Sequence, residues 1–108
     1  MTTSTKASDA LAKAADLIEP PGAWTQGTFA RDAHGEPTTS SGPRATCWCA
    51  SGAIRRITPG RLDRRQARDY LDKVVGTITL FNDALGRTQA EVVAALREAS
   101  NLAEKEGN

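Results

Sequence analysis

Residues 81–97, FNDALGRTQAEVVAALR, combine a polar turn with the start of an amphipathic helix. Thr88 and Glu91 stand in the T-x-x-E spacing of a capping box. In that motif the threonine hydroxyl accepts from the glutamate backbone N–H, and the glutamate carboxylate accepts from the threonine backbone N–H. Apolar residues then recur at helical spacing, namely Val92, Ala95, Leu96, Ala99 and Ala103. We therefore predict a tight turn followed by a capped helix, the last of the chain.

A first helix is predicted near the start of the chain, with Ser8 as its N-cap and its end at about Glu19. Its buried stripe follows the i, i+3, i+4, i+7 pattern and consists of Leu11, Ala14, Ala15 and Ile18. The PPG sequence at residues 20–22 ends this helix, because proline lacks the backbone donor that a continuing helix needs.

Two more helices are predicted in the middle of the chain. One begins at residue 43 or 44 and runs to residue 57, and Gly52 in its interior indicates a close approach by another element. The other begins at about residue 62 and keeps helical spacing to residue 81. Gly76 interrupts the second run, so a break there is the alternative to the continuous helix with a weak point that we favour.

The segment between the first two helices is predicted to form a short β-hairpin. Residues 28–30 and 36–38 flank a turn at residues 32–35, and Pro37 restricts the second arm to a sheet edge. The predicted fold is mainly α, with four helices in one small domain. Residues 1–7 are expected to be a flexible N-terminus and residues 8–106 a single globular domain.

The 108 residues contain few aromatic side chains, and much of their apolar content is alanine. We therefore expect thin, alanine-lined helix contacts, which a homodimer interface could supplement. The first ten residues lack an apolar run, so we expect no secretory signal, and no stretch approaches the roughly 20 apolar residues that a membrane span requires. Cys47 and Cys49 are too close together for an unstrained disulfide, which favours a reducing cytoplasm. The Arg- and Ala-rich composition fits a bacterial or phage genome.

Charge is unevenly distributed along the chain. Residues 44–73 contain eight basic and three acidic residues, a formal charge of +5, whereas the whole chain has only +1. Four arginines share one face of the third predicted helix and two more precede it: Arg61, Arg64, Arg65, Arg68, Arg55 and Arg56. Such a face suits an anionic partner, either an acidic protein or a nucleic acid. Two i, i+4 pairs, Arg65–Asp69 and Arg68–Asp72, would partly neutralise it.

Two further groups of residues could carry chemistry. Cys47, Cys49 and His34 are soft-metal ligands, but a C-x-C pair on a helix directs its thiols about 200° apart, and we expect no metal or other cofactor. We interpret Cys49 as a small buried hydrophobe. The segment from Asn82 to Arg87 precedes a helix N-terminus, where a ligand anion could bind, although turn hydrogen bonds explain the same residues.

Three elements of the sequence together resemble a family of small bacterial and phage domains of unknown function. They are WTQGxxARD at residues 24–32, WCxxGA at residues 48–53 and NDxxGRTxxEV at residues 82–92. The resemblance implies a compact stand-alone domain and carries no activity, cofactor or catalytic residue. It suggests a shared cleft formed by Trp24, Gln26, Trp48, Cys49, Asn82, Asp83 and Arg87, or a seam along which these residues simply fold together.

The leading functional hypothesis is a non-enzymatic cytoplasmic module that docks a protein partner or a second copy of itself. Nucleic-acid binding through the six arginines is the second hypothesis. The third is a small-molecule or enzyme site near Trp48, Cys49, Asn82 and Arg87. No P-loop, GxGxxG, GxSxG or HExxH motif is present, and a single histidine leaves few groups for acid–base catalysis, so no catalytic residue is assigned.

Overall fold

The computed structural model describes residues 6–108, and five helices make up more than half of the chain. They are α1 (Ala7–Ile18), α2 (Ala50–Ile57), α3 (Arg61–Val75), α4 (Ile78–Asn82) and α5 (Gln89–Lys105). Between α1 and α2, the two-residue strands β1 (Ala30–Arg31) and β2 (Cys47–Trp48) pair antiparallel. The predicted mainly helical fold with a short antiparallel strand pair is confirmed. Residues 1–5 of the expected flexible N-terminus lie outside the described part.

The core is built around α1, which packs against α5 and α2, while α3 packs against α5. The side chains at these contacts are small or aliphatic, and the fully buried ones include Ala10, Ala14, Leu96, Ala99 and Ala103. The alanine-lined helix contacts predicted from the composition are therefore present. Within residues 6–108, no helix is both long and apolar enough to cross a membrane.

The ends of α1 are held by other parts of the chain. Its N-cap is Lys6 and not Ser8 as predicted, because the helix extends to the buried Ala7 and leaves Ser8 inside the first turn. The Ser8 carbonyl accepts from Ser100 Oγ at 2.7 Å. At the other end, which lies close to the prediction, the Gln89 side chain donates to the Ile18 carbonyl at 2.6 Å.

Helix α2 begins at Ala50, several residues later than predicted. The preceding segment is extended because its backbone groups are bonded to other segments: Trp48 N–H donates to the Ala23 carbonyl at 2.9 Å, and Trp48 O accepts from Thr25 N–H at 3.1 Å. The predicted hairpin partner, residues 36–38, makes only an isolated bridge from Pro37 to Arg31. The regular strand partner of β1 is therefore β2.

The third predicted helix breaks at Gly76, so the continuous helix that we favoured is wrong and the helix count is five. Gly76 has φ +90°, a conformation that glycine adopts without the steric cost of a Cβ. The Asp72 carboxylate then accepts from Ile78 N–H at 3.3 Å, at the start of α4. The predicted capping box of α5 is confirmed: Thr88 Oγ1 accepts from Glu91 N–H at 3.2 Å, and Glu91 Oε1 accepts from Thr88 N–H at 2.9 Å.

Candidate functional site

Asn82, at the end of α4, joins three segments of the chain. Its Oδ1 accepts from the Trp24 indole N–H at 2.8 Å and from Ala50 N–H at 3.0 Å. Its Nδ2 donates to the Thr25 carbonyl at 3.1 Å and to Asp83 Oδ1 at 2.9 Å. Both Nδ2 hydrogens and both Oδ1 lone pairs thus have partners within the protein. The side chain therefore has no capacity left for a ligand.

Gln26 and Asp83 extend this network along the turn that follows α4. Gln26 Nε2 donates to the carbonyls of Asn82 and Ala84, at 2.9 and 3.1 Å. Asp83 Oδ1 accepts from Gly27 N–H at 3.0 Å. The WTQG and NDxxGR elements therefore meet, and most of their polar contacts connect one element to the other.

Arg87 turns away from this network. Its Nε donates to the Phe81 carbonyl at 2.8 Å, and its guanidinium lies 3.9 Å from the centre of the Phe81 ring. It also forms an ion pair of 3.6 Å with Glu91. Hydrogen bonds from Thr88, led by its backbone N–H, lower the pKa of Glu91. The anion at the N-terminus of α5 is thus the protein's own carboxylate.

Trp48 and Cys49 connect β2 to α2 and have different surroundings. The Trp48 ring is buried, and its indole N–H donates to the Ser40 carbonyl at 2.9 Å. Cys49 is the N-cap of α2, with its Sγ accepting from Gly52 N–H at 3.2 Å. Burial raises the pKa of the Cys49 thiol. A neutral, buried thiol is a poor nucleophile and a poor metal ligand.

A mainly apolar cleft of about 310 Å³ opens in front of the network. We call it the apolar cleft, and its lining residues are Gly27, Thr28, Phe29, Cys49, Ser51, Ile78, Thr79, Asn82 and Asp83. Three of the seven residues predicted to form a shared cleft lie on this wall, whereas Trp24, Gln26, Trp48 and Arg87 do not line it. Phe29 and Ile78 form apolar walls of the cleft, and neither was predicted from the sequence to be a site residue.

Gly52 fixes one wall of the apolar cleft. A Cβ at this position would overlap the carbonyl of Phe29, so the mid-helix glycine is needed for the close approach that the sequence predicted. The same Phe29 carbonyl accepts from Cys49 N–H at 3.1 Å. The glycine inside a helical pattern was the signal for a contact here, but the sequence did not indicate which segment makes that contact.

A second, larger concavity of about 720 Å³ lies along α3 and takes in the end of α2. We call it the arginine groove. Five of the six predicted arginines line it together with one leucine and two aspartates: Arg55, Arg61, Arg64, Arg65, Arg68, Leu62, Asp69 and Asp72. Arg56 is the exception, because it donates to the Gly42 carbonyl at 2.8 Å and stacks 5.5 Å from the Trp48 ring.

The cations of the arginine groove are not neutralised by local ion pairs. Within residues 6–108, the ion pairs of 4.0 Å or less involve only Arg87 and Arg97, so the predicted Arg65–Asp69 and Arg68–Asp72 pairs do not form. The five arginines and two aspartates of the lining give a formal charge of +3. Arg64 Nε is buried and has no hydrogen-bond acceptor among the described residues.

The arginine groove and the apolar cleft are neighbours. Arg55 lines the groove, Phe29 lines the cleft, and the Arg55 guanidinium lies 4.8 Å from the centre of the Phe29 ring. Asp72 of the groove accepts from the backbone of Ile78 in the cleft. A ligand lying across this pair of residues would therefore contact both concavities.

Metal ligands do not cluster in the part of the chain that the structure describes, where no group of three His, Cys, Asp or Glu residues is close enough to hold an ion. His34 is exposed, and its backbone N–H donates to Asp32 within its own turn. Cys47 Sγ lies 3.9 Å from the Arg31 carbonyl, whereas Cys49 caps α2. Of the three candidate soft ligands, the two thiols therefore have local hydrogen-bond partners.

Neither a curated protein nor a solved structure matches this chain. A family model described as a family of unknown function matches residues 2–102, which is nearly the whole length. The match spans the three elements on which the resemblance rested, including the two that meet at Asn82. The chain therefore belongs to the family of unknown function DUF6197.

Proposed function

We propose that the protein is a non-enzymatic binding module that docks an acidic segment of a partner protein in the arginine groove. One observation carries the proposal: five guanidinium groups line a single open groove of about 720 Å³. Guanidinium groups present paired N–H donors that match the two oxygens of a carboxylate. A run of aspartate or glutamate side chains is the protein segment that complements this surface.

Arg64 supplies a more specific reason for a ligand in the groove. Its buried Nε lacks an acceptor in the described part of the chain, and an unsatisfied buried donor costs roughly 1–3 kcal/mol. A carboxylate that draws the Arg64 side chain toward it would provide the missing acceptor. Part of this free energy would then be recovered when the partner binds, which favours an anion at this position.

The composition of the groove favours a protein over a nucleic acid. Leu62 is 79% exposed within the same groove, which suits contact with apolar side chains. The net charge of +1 is also low for a domain that binds nucleic acid by counterion release.

The surroundings of the two thiols support a non-enzymatic, cytoplasmic role. Both Cys47 and Cys49 are free, which fits a reducing compartment. Burial raises the pKa of Cys49, so its thiol is poorly suited to attack a substrate. The acidic partner could also be a second copy, because the chain outside residues 44–73 has six basic and ten acidic residues.

The proposal is tested by fluorescence anisotropy at low ionic strength with a fluorescein-labelled hexaglutamate peptide. The double variant Arg65→Gln/Arg68→Gln should bind about tenfold more weakly, because each exposed charge pair contributes up to about 1 kcal/mol. Arg44→Gln is the matched control, since Arg44 is exposed and does not line the groove. Equal affinity of the double variant and the wild type would overturn the proposal.

Nucleic-acid binding is the second candidate, because the same five arginines could contact phosphates. A hexathymidylate of similar charge, used in the same assay, separates the two functions. Tighter binding of the oligonucleotide, with affinity falling steeply as salt rises, would favour nucleic acid. Size-exclusion chromatography with light scattering measures self-association. If the wild-type protein is a dimer and the double variant is a monomer, the partner is a second copy of the chain.

A further inference from the structure

The apolar cleft beside the arginine groove has the size and lining of a site for one large side chain. Its volume of about 310 Å³ lies at the lower limit of the roughly 300–1,000 Å³ typical of ligand pockets. Phe29 and Ile78 supply apolar walls. Aromatic anchors that fill such pockets dominate the affinity of many protein interfaces. The cleft is therefore suited to an anchor residue and too small for an extended chain.

The cleft is held open by the folded structure. The Phe29 carbonyl is fixed by Cys49 N–H at 3.1 Å and by its close approach to Gly52. The Asp83 carboxylate, also in the lining, is fixed by hydrogen bonds from Gly27 N–H and Asn82 Nδ2. A preformed site binds its ligand without the entropic cost of ordering its walls. Most of the free energy gained by burying the ligand's apolar surface therefore contributes to affinity.

Asp83 determines which side chain fits. It is the charged residue in the lining of the cleft, and the hydrogen bonds from Gly27 and Asn82 to its carboxylate both end on Oδ1. An acidic side chain would be repelled by this carboxylate, whereas Oδ2 can accept from a neutral donor. Buried tryptophan and tyrosine combine a large apolar body with one donor that needs a partner. An indole or phenol therefore matches the cleft better than an aliphatic group or an acid.

The position of the cleft relative to the groove links the two sites. Arg55 reaches from the groove and stacks 4.8 Å from the centre of the Phe29 ring at the edge of the cleft. We propose that the partner's recognition segment carries a tryptophan or tyrosine next to its acidic run, with the aromatic side chain in the apolar cleft. This inference rests on the proposed function and specifies the partner that the groove would select.

The test uses two labelled peptides that differ only in the anchor, WGEEEEEEGW and AGEEEEEEGA, so that either chain direction is sampled. Tryptophan should increase the affinity of the wild-type protein at least about tenfold, as expected for a buried aromatic anchor. Thr79→Trp should remove that advantage by filling the cleft, while Thr77→Trp should retain it, because Thr77 is the exposed N-cap residue of α4 and does not line the cleft.

A second variant protects the test against misfolding of the first. Phe29→Ala removes one apolar wall from a residue that is already 47% exposed, and it should also reduce the tryptophan advantage. If both peptides bind equally and Arg65→Gln/Arg68→Gln weakens both, the anchor is wrong and the proposed function stands. If neither peptide binds the wild-type protein, both proposals are wrong.

Discussion

Trp24 donates its indole N–H to Asn82 Oδ1 at 2.8 Å, although the two residues are 58 positions apart in the chain. The same oxygen accepts from Ala50 N–H, so one side chain holds the loop after α1 against the start of α2. The Asn82 amide also bonds the Thr25 carbonyl. The two sequence elements that contain Trp24 and Asn82 therefore meet at a structural joint, and Asn82 lies in the wall of the apolar cleft.

Replacing the joint residue should destabilise the whole domain. Asn82→Ala leaves the Trp24 indole and the Ala50 amide without acceptors at a site where Asn82 is 1% exposed. Because each buried group left unsatisfied costs about 1–3 kcal/mol, the free energy of unfolding should fall by about 3 kcal/mol or more. Urea denaturation followed by tryptophan fluorescence measures the loss. Asn101→Ala, at an exposed position of α5, should change it by less than about 0.5 kcal/mol.

Gly52→Ala tests the close approach of two backbones. Alanine raises helix propensity by roughly 1 kcal/mol relative to glycine, which alone would stabilise α2. The added Cβ would overlap the Phe29 carbonyl, and overpacking of this kind costs about 1–3 kcal/mol. We therefore expect Gly52→Ala to lower the melting temperature in thermal unfolding experiments. Gly60→Ala is the comparison, because Gly60 has an ordinary φ of −76° and the atoms nearest its added Cβ would belong to the Asp63 side chain, at 3.2 Å, and not to a backbone. A stabilised Gly52→Ala protein would contradict the packing described for α2.

The two cysteines should react at different rates with iodoacetamide. Cys49 is 8% exposed and burial raises the pKa of its thiol, whereas Cys47 is half-buried at the strand pair. A raised pKa lowers the thiolate fraction of Cys49, and burial restricts access of the reagent to it, so Cys47 should be alkylated faster. Peptide mass spectrometry of timed reactions measures both rates. In urea the rates should converge, and equal rates in the native protein would show that Cys49 is accessible.

The local features of this fold could be predicted from the sequence. The Thr88–Glu91 capping box involves residues only three positions apart, so their identities suffice to predict the contact. The apolar stripes of α1 and α5 follow from helical periodicity for the same reason. Gly52 indicated a close approach correctly, because a glycine inside a helical pattern has a specific steric meaning.

The features that the sequence did not predict depend on contacts between segments that are distant in the chain. Cys47 and Trp48 have helix-compatible neighbours, but backbone hydrogen bonds to the segments at Ala23, Thr25 and Arg31 hold them in a strand. The sequence allowed either a continuous helix or a break at Gly76. The break is favoured by a hydrogen bond in which the Asp72 carboxylate accepts from Ile78 N–H at the start of α4. Likewise, helical spacing correctly placed the arginines of α3 on one face. It could not reveal that Arg56, at the end of α2, stacks on Trp48 and does not line the arginine groove.

The capping box also predicts how stability responds to acid. Hydrogen bonds from Thr88, and then the charge of Arg87, lower the pKa of Glu91 from its ordinary value of 4.5. A carboxyl group with a lowered pKa in the folded state binds its proton less tightly there than in the unfolded chain. The ionised Glu91 therefore stabilises the fold above pH 4.5, and this contribution is lost as the pH falls through the lowered folded-state value.

Glu91→Gln isolates this charge, because glutamine can still bond the Thr88 backbone in a capping box. The wild-type protein should have the higher melting temperature at about pH 7, and the difference should shrink as the pH falls below 4.5. Glu98→Gln removes an exposed carboxylate elsewhere on α5 and controls for the change in net charge. Because N-terminal anions stabilise a helix only within its first turn, Glu98→Gln should lack this effect. A wild-type advantage that persists unchanged in acid, where Glu91 is protonated, would mean that packing, and not charge, is responsible.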